Sequence, residues 1–424
     1  MPTYTTEIVQ ALPFQFTPVE QDLIIIVGCD LAVATEIGVK FCLGVYLIDG
    51  TLVGNFKTTP NNEGYGVFDV SSIVKNYVAA DHEARKASNY KEDGGIGLDG
   101  FPIHLIDEYS VQTKLLRQME FMAYTEYTDS TGVVVLTNPF TAGYLNVFNA
   151  YVKDTDKLSV ELILSGSGVP VTTSGGFGYD TSAFLSTSTY EPLQKFLSNS
   201  PTTQWATRND YGTMAFIAKW VGTGPGGGLE NYVHAYRVIT YSGLNATGGV
   251  LSTIDIDRTY ANGAYDGDYS STTQVGIEQE RILYFGAFPA NLYSASDDFK
   301  DDLDLKGAMQ SYTVYLIDKL DAHVSETKII NILCPTLKGY VPIRLGWMNQ
   351  WGTWDYYTFN QKSIKTISTK GSTYNQLGGD WNKSTFQPKG YKGGKKSFRV
   401  NATEKIKMNT DYITEEHSDW FEEL

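Results

Sequence analysis

Asp255-x-Asp257 and Asp266-x-Asp268 bracket a Gly/Asn loop, and Asp297, Asp298, Asp301, Asp302 and Asp304 form a second acidic run. Hard carboxylate oxygens so arranged could hold Ca²⁺. Neither stretch has the glycine at the sixth position and the glutamate at the twelfth that an EF-hand loop needs, so solvated loop carboxylates are the ordinary reading. A glycosidase requires two positioned carboxylates. With 48 Asp and Glu in the chain some such pair is inevitable and decides nothing. The five histidines, His82, His104, His234, His323 and His417, are scattered, with no pair at ligand spacing on one helix face. Gly224-Pro-Gly-Gly-Gly228 lacks the Gly-Lys-[Ser/Thr] of a phosphate loop. Ser165-Gly-Ser-Gly168 lacks the Gly-x-Ser-x-Gly spacing of a nucleophile elbow. No catalytic residue, cofactor or metal is therefore expected, and the chain does not read as an enzyme.

Contact chemistry is better represented. Residues 340–359 hold Trp347, Trp351 and Trp354 within eight positions, around a turn containing Gly346, Asn349, Gln350 and Gly352. The flanking runs predict one strand ending near Leu345 and another from Thr353 to Phe359. Alternation along the second puts Trp354, Tyr356 and Thr358 on one face and Asp355, Tyr357 and Phe359 on the other. Trp354 is then expected to pack in a core with Tyr356. At least one of Trp347 and Trp351, on the turn, is expected to be partly exposed to a neighbouring subunit, since aromatic rings are common interface anchors. Clustered tryptophans also stack on sugar rings, which makes a carbohydrate-binding module or adhesin the alternative.

A second contact signal is charge. Residues 383–407 carry eight Lys and Arg against Glu404, a local +7, which leaves −22 on the rest of a chain whose net charge is −15. The plain reading is a solvated β-ribbon; the sharper one is a basic projection docking on an acidic surface of another copy or partner. The candidate interface residues are Trp347, Trp351, Lys395, Lys396 and Arg399.

Positioning these groups calls for strands. Of 424 residues 42 % are hydrophobic and 13 % aromatic, and 41 glycines allow many turns. Aromatic and β-branched residues fit pleated surfaces, so an all-β, mainly antiparallel fold is expected. Short apolar runs separated by Gly/Asn/Asp turns, with Asp49-Gly50 the strongest hairpin signal, predict two β-sandwich or jelly-roll-like domains. Their expected limits are 1–136 and 205–365, joined by an irregular segment over 137–204. A C-terminal extension over 366–424 would hold a loop-rich stretch, a basic hairpin near Ser397–Lys407 and a terminal helix. One short helix is expected near 69–80, where Val70, Ile73, Val74, Tyr77 and Val78 share a face behind Asp69. Cys29, Cys42 and Cys334 sit in apolar runs and read as buried free thiols. The acidic balance argues against nucleic acid and anionic membranes as partners. Residues 1–21 lack the pattern of a signal peptide, and no apolar run reaches the ~20 residues of a membrane span.

Several blocks, in order, carry a resemblance. They are Pro13-Phe-Gln-Phe-Thr-Pro-Val19 followed by Asp22–Val27, Gly66–Val78, Phe196–Pro201, Ile282–Leu292, Cys334 ahead of Ile343–Phe359, and Asn409–Leu424. Together these resemble a group of mostly uncharacterised virion structural proteins of tailed bacteriophages, frequent among phages of marine bacteria and Bacteroidetes. Residues 137–190 and 360–395 add nothing to it, and Asn349-Gln350 stands where the group usually has an Asn-Arg turn. The resemblance implies a tail, baseplate or neck component, assembled in the host cytoplasm with other virion proteins and copies of itself. Members of the group continue past the equivalent of Leu424, so this chain could be a fragment.

Overall fold

A computed structural model describes residues 4–10, 16–47, 49–80, 82–84, 101–106, 109–112, 115–151, 193–219, 233–257, 280–304, 309–318, 321–333, 339–375, 383–385, 387 and 394–424. The fold is all-β, with several mostly antiparallel sheets and few helices. By contacts the chain divides into two compact units. The larger comprises Met1–Leu333, Gly346–Tyr357 and Thr414–Leu424; the smaller comprises Cys334–Leu345 and Thr358–Ile413.

In the larger unit, a six-stranded sheet runs Phe16–Glu20, Phe140–Tyr151, Leu116–Thr128, Ile37–Leu47, Leu52–Thr58, with Val134–Leu136 pairing Leu116–Thr128 off that path. Leu116–Thr128 shows why it is a strand: from Met119 onward every second residue, through Phe121, Ala123, Thr125 and Tyr127, is buried. A period of two lets one side of the pleat face a core while the other meets solvent. Opposite lies a three-stranded sheet of Glu7–Gln10, Ile24–Gly28 and Gly66–Asp69. Leu23, Ile25, Val27 and Phe68 pack against Phe41, Leu43, Val45 and Phe121 in one core. The expected Asp49-Gly50 turn joins Ile37–Leu47 to Leu52–Thr58, with Gly50 at φ +82°.

A second pair of sheets follows. Five strands run Thr203–Thr207, Lys328–Leu333, Ser311–Asp318, Val233–Tyr241, Val250–Asp257, and three more run Thr213–Lys219, Glu280–Gly286, Tyr109–Gln112. Their shared core is aromatic: Tyr109, Phe196, Phe216, Tyr236, Phe285, Phe288 and Tyr312 are all buried there. The two pairs of sheets are not separate as expected. Tyr109–Gln112 comes from the first 136 residues yet pairs with Glu280–Gly286 of the second half. Buried Asn291 makes the same link, donating to the carbonyls of His104 and Ile106 and accepting from Gly212 N–H at 2.9 Å.

Other expectations are corrected by the described residues. Phe140–Tyr151 is a central strand, not part of an irregular connection; residues 152–192 lie outside the described residues. The expected short helix near 69–80 is present as Ser71–Val74, continued by a 3-10 turn, Lys75–Tyr77. Asp69 does accept the Ser71 N–H at 3.0 Å. Further helices span Asp30–Thr35, Pro289–Ala295, Asp297–Asp304 and Glu415–Phe421. The run from Asp297 to Asp304 is thus a helix with acids in its first turn, where the helix dipole favours them, and not a loop.

The smaller unit is dominated by a two-stranded ribbon, Ile364–Asn375 against Lys395–Lys407. The loop-rich stretch expected from 365 is therefore strand as far as Asn375. The expected hairpin near Ser397–Lys407 is one strand of this longer pair. No described helix is long and apolar enough to cross a membrane.

Candidate functional site

The hairpin that carries the tryptophans pairs Ile343–Met348 with Trp354–Phe359. Its first strand runs three residues past the expected end. The tip is closed by Asn349, which donates its backbone N–H to Thr353 O at 2.8 Å and accepts the Gly352 N–H at 3.0 Å. The Asn349 Oδ1 accepts the backbone N–H of Trp351 at 3.0 Å and of Thr353 at 3.1 Å, a side chain substituting for strand hydrogen bonds inside a tight turn. Asn349 Nδ2 then donates to Leu197 O at 2.8 Å, and Tyr151 N–H donates to Gln350 O at 3.0 Å, seating the tip on residues from two other segments.

Neither Trp347 nor Trp351 is exposed. Trp347 and Trp351 each retain 7 % of their accessible surface, so the expectation that at least one of them is partly exposed is corrected. For Trp347 the reason lies far along the chain. The terminal helix Glu415–Phe421 lays Trp420 against Trp347, ring centroids 4.9 Å apart, and Phe421 against Tyr357 at 4.7 Å. Trp351 packs with Leu197, Phe148 and Leu116, and its Nε1 donates to Asn199 Oδ1 at 3.2 Å. Trp354 is half-buried against both neighbouring cores, and Tyr356 is buried beside Phe288. Large rings at a turn therefore act as an internal fastener.

Sequence reasoning missed the polar members of this cluster. Asp355 is buried and accepts the Trp420 Nε1–H at 2.7 Å. Burial pushes its carboxyl up to about 6, with hydrogen bonds from Trp420, Ser198 and Asn349 opposing and Glu423 adding to the rise. The signal was present as a single acid inside the otherwise apolar Trp354-Asp-Tyr-Tyr run, a place that demands a partner. The cavity beside it, lined by Ser198, Ser200, Gln204, Lys328, Trp354 and Trp420, measures about 10 Å³. That is room for about one water and for no organic ligand.

Asp355 yields a pH prediction. Its folded pKa lies above the ordinary aspartate value of 3.8, so the folded state takes up the proton first. The stability contributed by the neutral acid is complete below about pH 4 and lost as pH rises through about 6. The difference in unfolding free energy between wild type and Asp355→Asn should grow by about 2–3 kcal/mol on going from pH 7 to pH 4. Urea unfolding across that range checks this, and a flat difference contradicts it.

Three acids of these runs are engaged within the fold. Arg237 forks onto Asp255 at 2.6 and 2.7 Å, Thr240 donates to buried Asp302 at 2.6 Å, and Arg208 and Tyr293 hold Asp304. Among the described residues no group of three or more His, Cys, Asp or Glu is placed to hold a metal ion. Asp266, Asp268, Gly224–Gly228, Ser165–Gly168 and Cys334 lie outside the described residues. Cys29 and Cys42 are buried free thiols.

The ribbon is the opposite of the tryptophan cluster. Every residue of its 12- and 13-residue strands is exposed, including Lys395, Lys396 and Arg399. Phe398 is 78 % exposed and meets Tyr374 edge to face at 6.4 Å. Lys365 pairs with Glu404 across the strands.

No family model and no curated protein matches the chain. Among solved structures it is similar to trypsin-activated alpha-2-macroglobulin from Escherichia coli, at 7 % identity and a TM-score of 0.20, over 87 % of this chain and 23 % of that one. The native form of the same E. coli protein gives 7 % identity and 0.21, over 97 % and 21 %. The chain spans about a fifth of the length of these proteins, and likeness at such scores carries no argument.

Proposed function

We propose that this chain is a non-catalytic structural component of a phage particle, of tail or baseplate type, that assembles through its exposed ribbon. The observation that carries the reading is the ribbon itself. A lone two-stranded hairpin is marginally stable in water, because it buries too little surface to offset the ordering of its backbone. Strands of this length with apolar residues on both faces fit a chain that meets its partner surface in an assembly. The blocks that resemble phage virion proteins support the placement in a particle, assembled in the host cytoplasm with other virion proteins. The glycan-binding alternative rested on exposed tryptophans in the hairpin, and burial of Trp347 and Trp351 removes that support.

Mass spectrometry of purified particles from a culture that makes this chain tests the reading. The chain should be present in a fixed ratio to the other particle proteins. A version with 364–407 replaced by a short Gly/Ser linker should remain folded and be missing from particles. Absence of the unaltered chain from particles, with the protein left in the soluble lysate, would contradict the proposal.

A further inference from the structure

The ribbon has two chemically different faces, and the pairing register separates them. Directly opposed residues of an antiparallel pair project to the same side. Ile364, Thr366, Ser368, Lys370 and Ser372 lie opposite Lys407, Lys405, Thr403, Asn401 and Arg399. The register shifts between Ser372 and Thr373, leaving Phe398 as the extra residue of a bulge, and Tyr374 opposite Lys396 continues the same side. Among the described residues of the ribbon, that side carries Lys370, Lys396, Arg399, Lys405 and Lys407 and not one acid. The other side carries Ile367, Val400, Ala402 and Ile406, and there Lys365 is neutralised by Glu404.

We propose that the basic face docks on the acidic surface of a second copy of this chain, with Tyr374 and Phe398 as the aromatic anchor at one end. The proposal rests on the assembly reading above and names its partner and its chemistry. Charge decides the occupant. The stretch 383–407 holds +7 while the rest of the chain holds −22, so another copy presents a large excess of the complementary sign. Complementary charges of this kind steer encounter and set orientation, and they are screened once salt shortens the reach of the field. Phe398, 78 % exposed at the bulge, supplies apolar area that the cations alone would lack. Sited among long basic side chains, it would become buried only when the face is covered.

The experiment is sedimentation equilibrium of the full chain over a range of concentrations, at low ionic strength and at about 1 M salt, where the Debye length falls to about 3 Å. Concentration-dependent association at low salt, lost at high salt, is expected. Lys370→Glu, Arg399→Glu and Lys405→Glu together should weaken it at least about tenfold. Ile367→Thr with Val400→Thr, on the opposite face, should leave it unchanged. Unfolding curves that match wild type would show each variant folded, as expected for substitutions at exposed positions. A chain that stays monomeric at low salt overturns the inference. So does association lost through the aliphatic-face pair and not through charge reversal, or a chain that stays monomeric but binds a DNA oligonucleotide. A monomer still found in particles would overturn this inference and leave the assembly reading standing; self-association with absence from particles would do the reverse.

Discussion

Trp420→Ala is expected to destabilise the larger unit by about 3–5 kcal/mol, the range for deleting a large buried aromatic ring. Trp420 is 2 % exposed and touches Trp347, Phe421 and Tyr357, with centroids at 4.9, 5.4 and 6.1 Å. Its removal opens Trp347 to solvent and takes the N–H from buried Asp355 Oδ2. Two milder changes separate packing from hydrogen bonding. Trp420→Phe keeps most of the area but takes one of the hydrogen bonds from the buried Asp355 carboxyl, which should cost about 1–3 kcal/mol. Trp347→Phe should cost less, because Trp347 Nε1 has no hydrogen-bond partner among the described residues and loses none. Urea unfolding followed by circular dichroism measures all three. Trp420→Ala within about 1 kcal/mol of wild type would show that the terminal helix is not fastened to the hairpin.

Gly352→Ala should have an effect at least as large. Gly352 sits at φ +73°, and a Cβ there would meet Asn149 O at 1.6 Å. No rotamer relieves that clash, because the obstacle is backbone and the added atom is fixed by the main chain. The tip would have to lift, breaking the Tyr151 N–H bond to Gln350 and drawing Trp351 from its core. Failure to reach the native fold, or a loss of several kcal/mol, is expected. Gly50→Ala is the control. Gly50 has nearly the same backbone conformation, φ +82°, but nothing within 4 Å of an added Cβ. Only conformational strain of about 1–2 kcal/mol applies there. Equal costs at the two positions would contradict the account of the tip.

The class of fold was legible because burial leaves a trace in sequence. Leu116–Thr128 alternates since one side faces a core, and Asp49-Gly50 marks a turn since a reversal needs positive φ. The ribbon strand Ile364–Asn375 left no such trace. Both of its faces are exposed, so no period of two was imposed, and its threonines, serines and lysines read as loop. The hairpin tryptophans were misplaced for a different reason. Trp351 does lie on the turn, while Trp347 lies in the strand before it; Trp347 is covered by Trp420, more than seventy residues on, and Trp351 by the core around Leu197, Phe148 and Leu116, and no local pattern announces either contact. Asp355 pointed the same way, as an acid among aromatics whose partner turned out to be that distant indole. Lys395, Lys396 and Arg399 were identified by charge alone. The register divides them, with Lys396 and Arg399 on the basic face and Lys395 on the other.

Backbone hydrogen exchange of the ribbon, read in the free chain and again in assembled particles, tests the central claim most directly. In the free chain the amides of Ile364–Asn375 and Lys395–Lys407 should exchange by easy local opening, since no core holds the pair closed. In particles they should slow by at least about a hundredfold, while those of the hairpin tip, already buried, should change little. Ribbon amides that exchange equally fast in both states, with new protection appearing at another surface, would contradict the account.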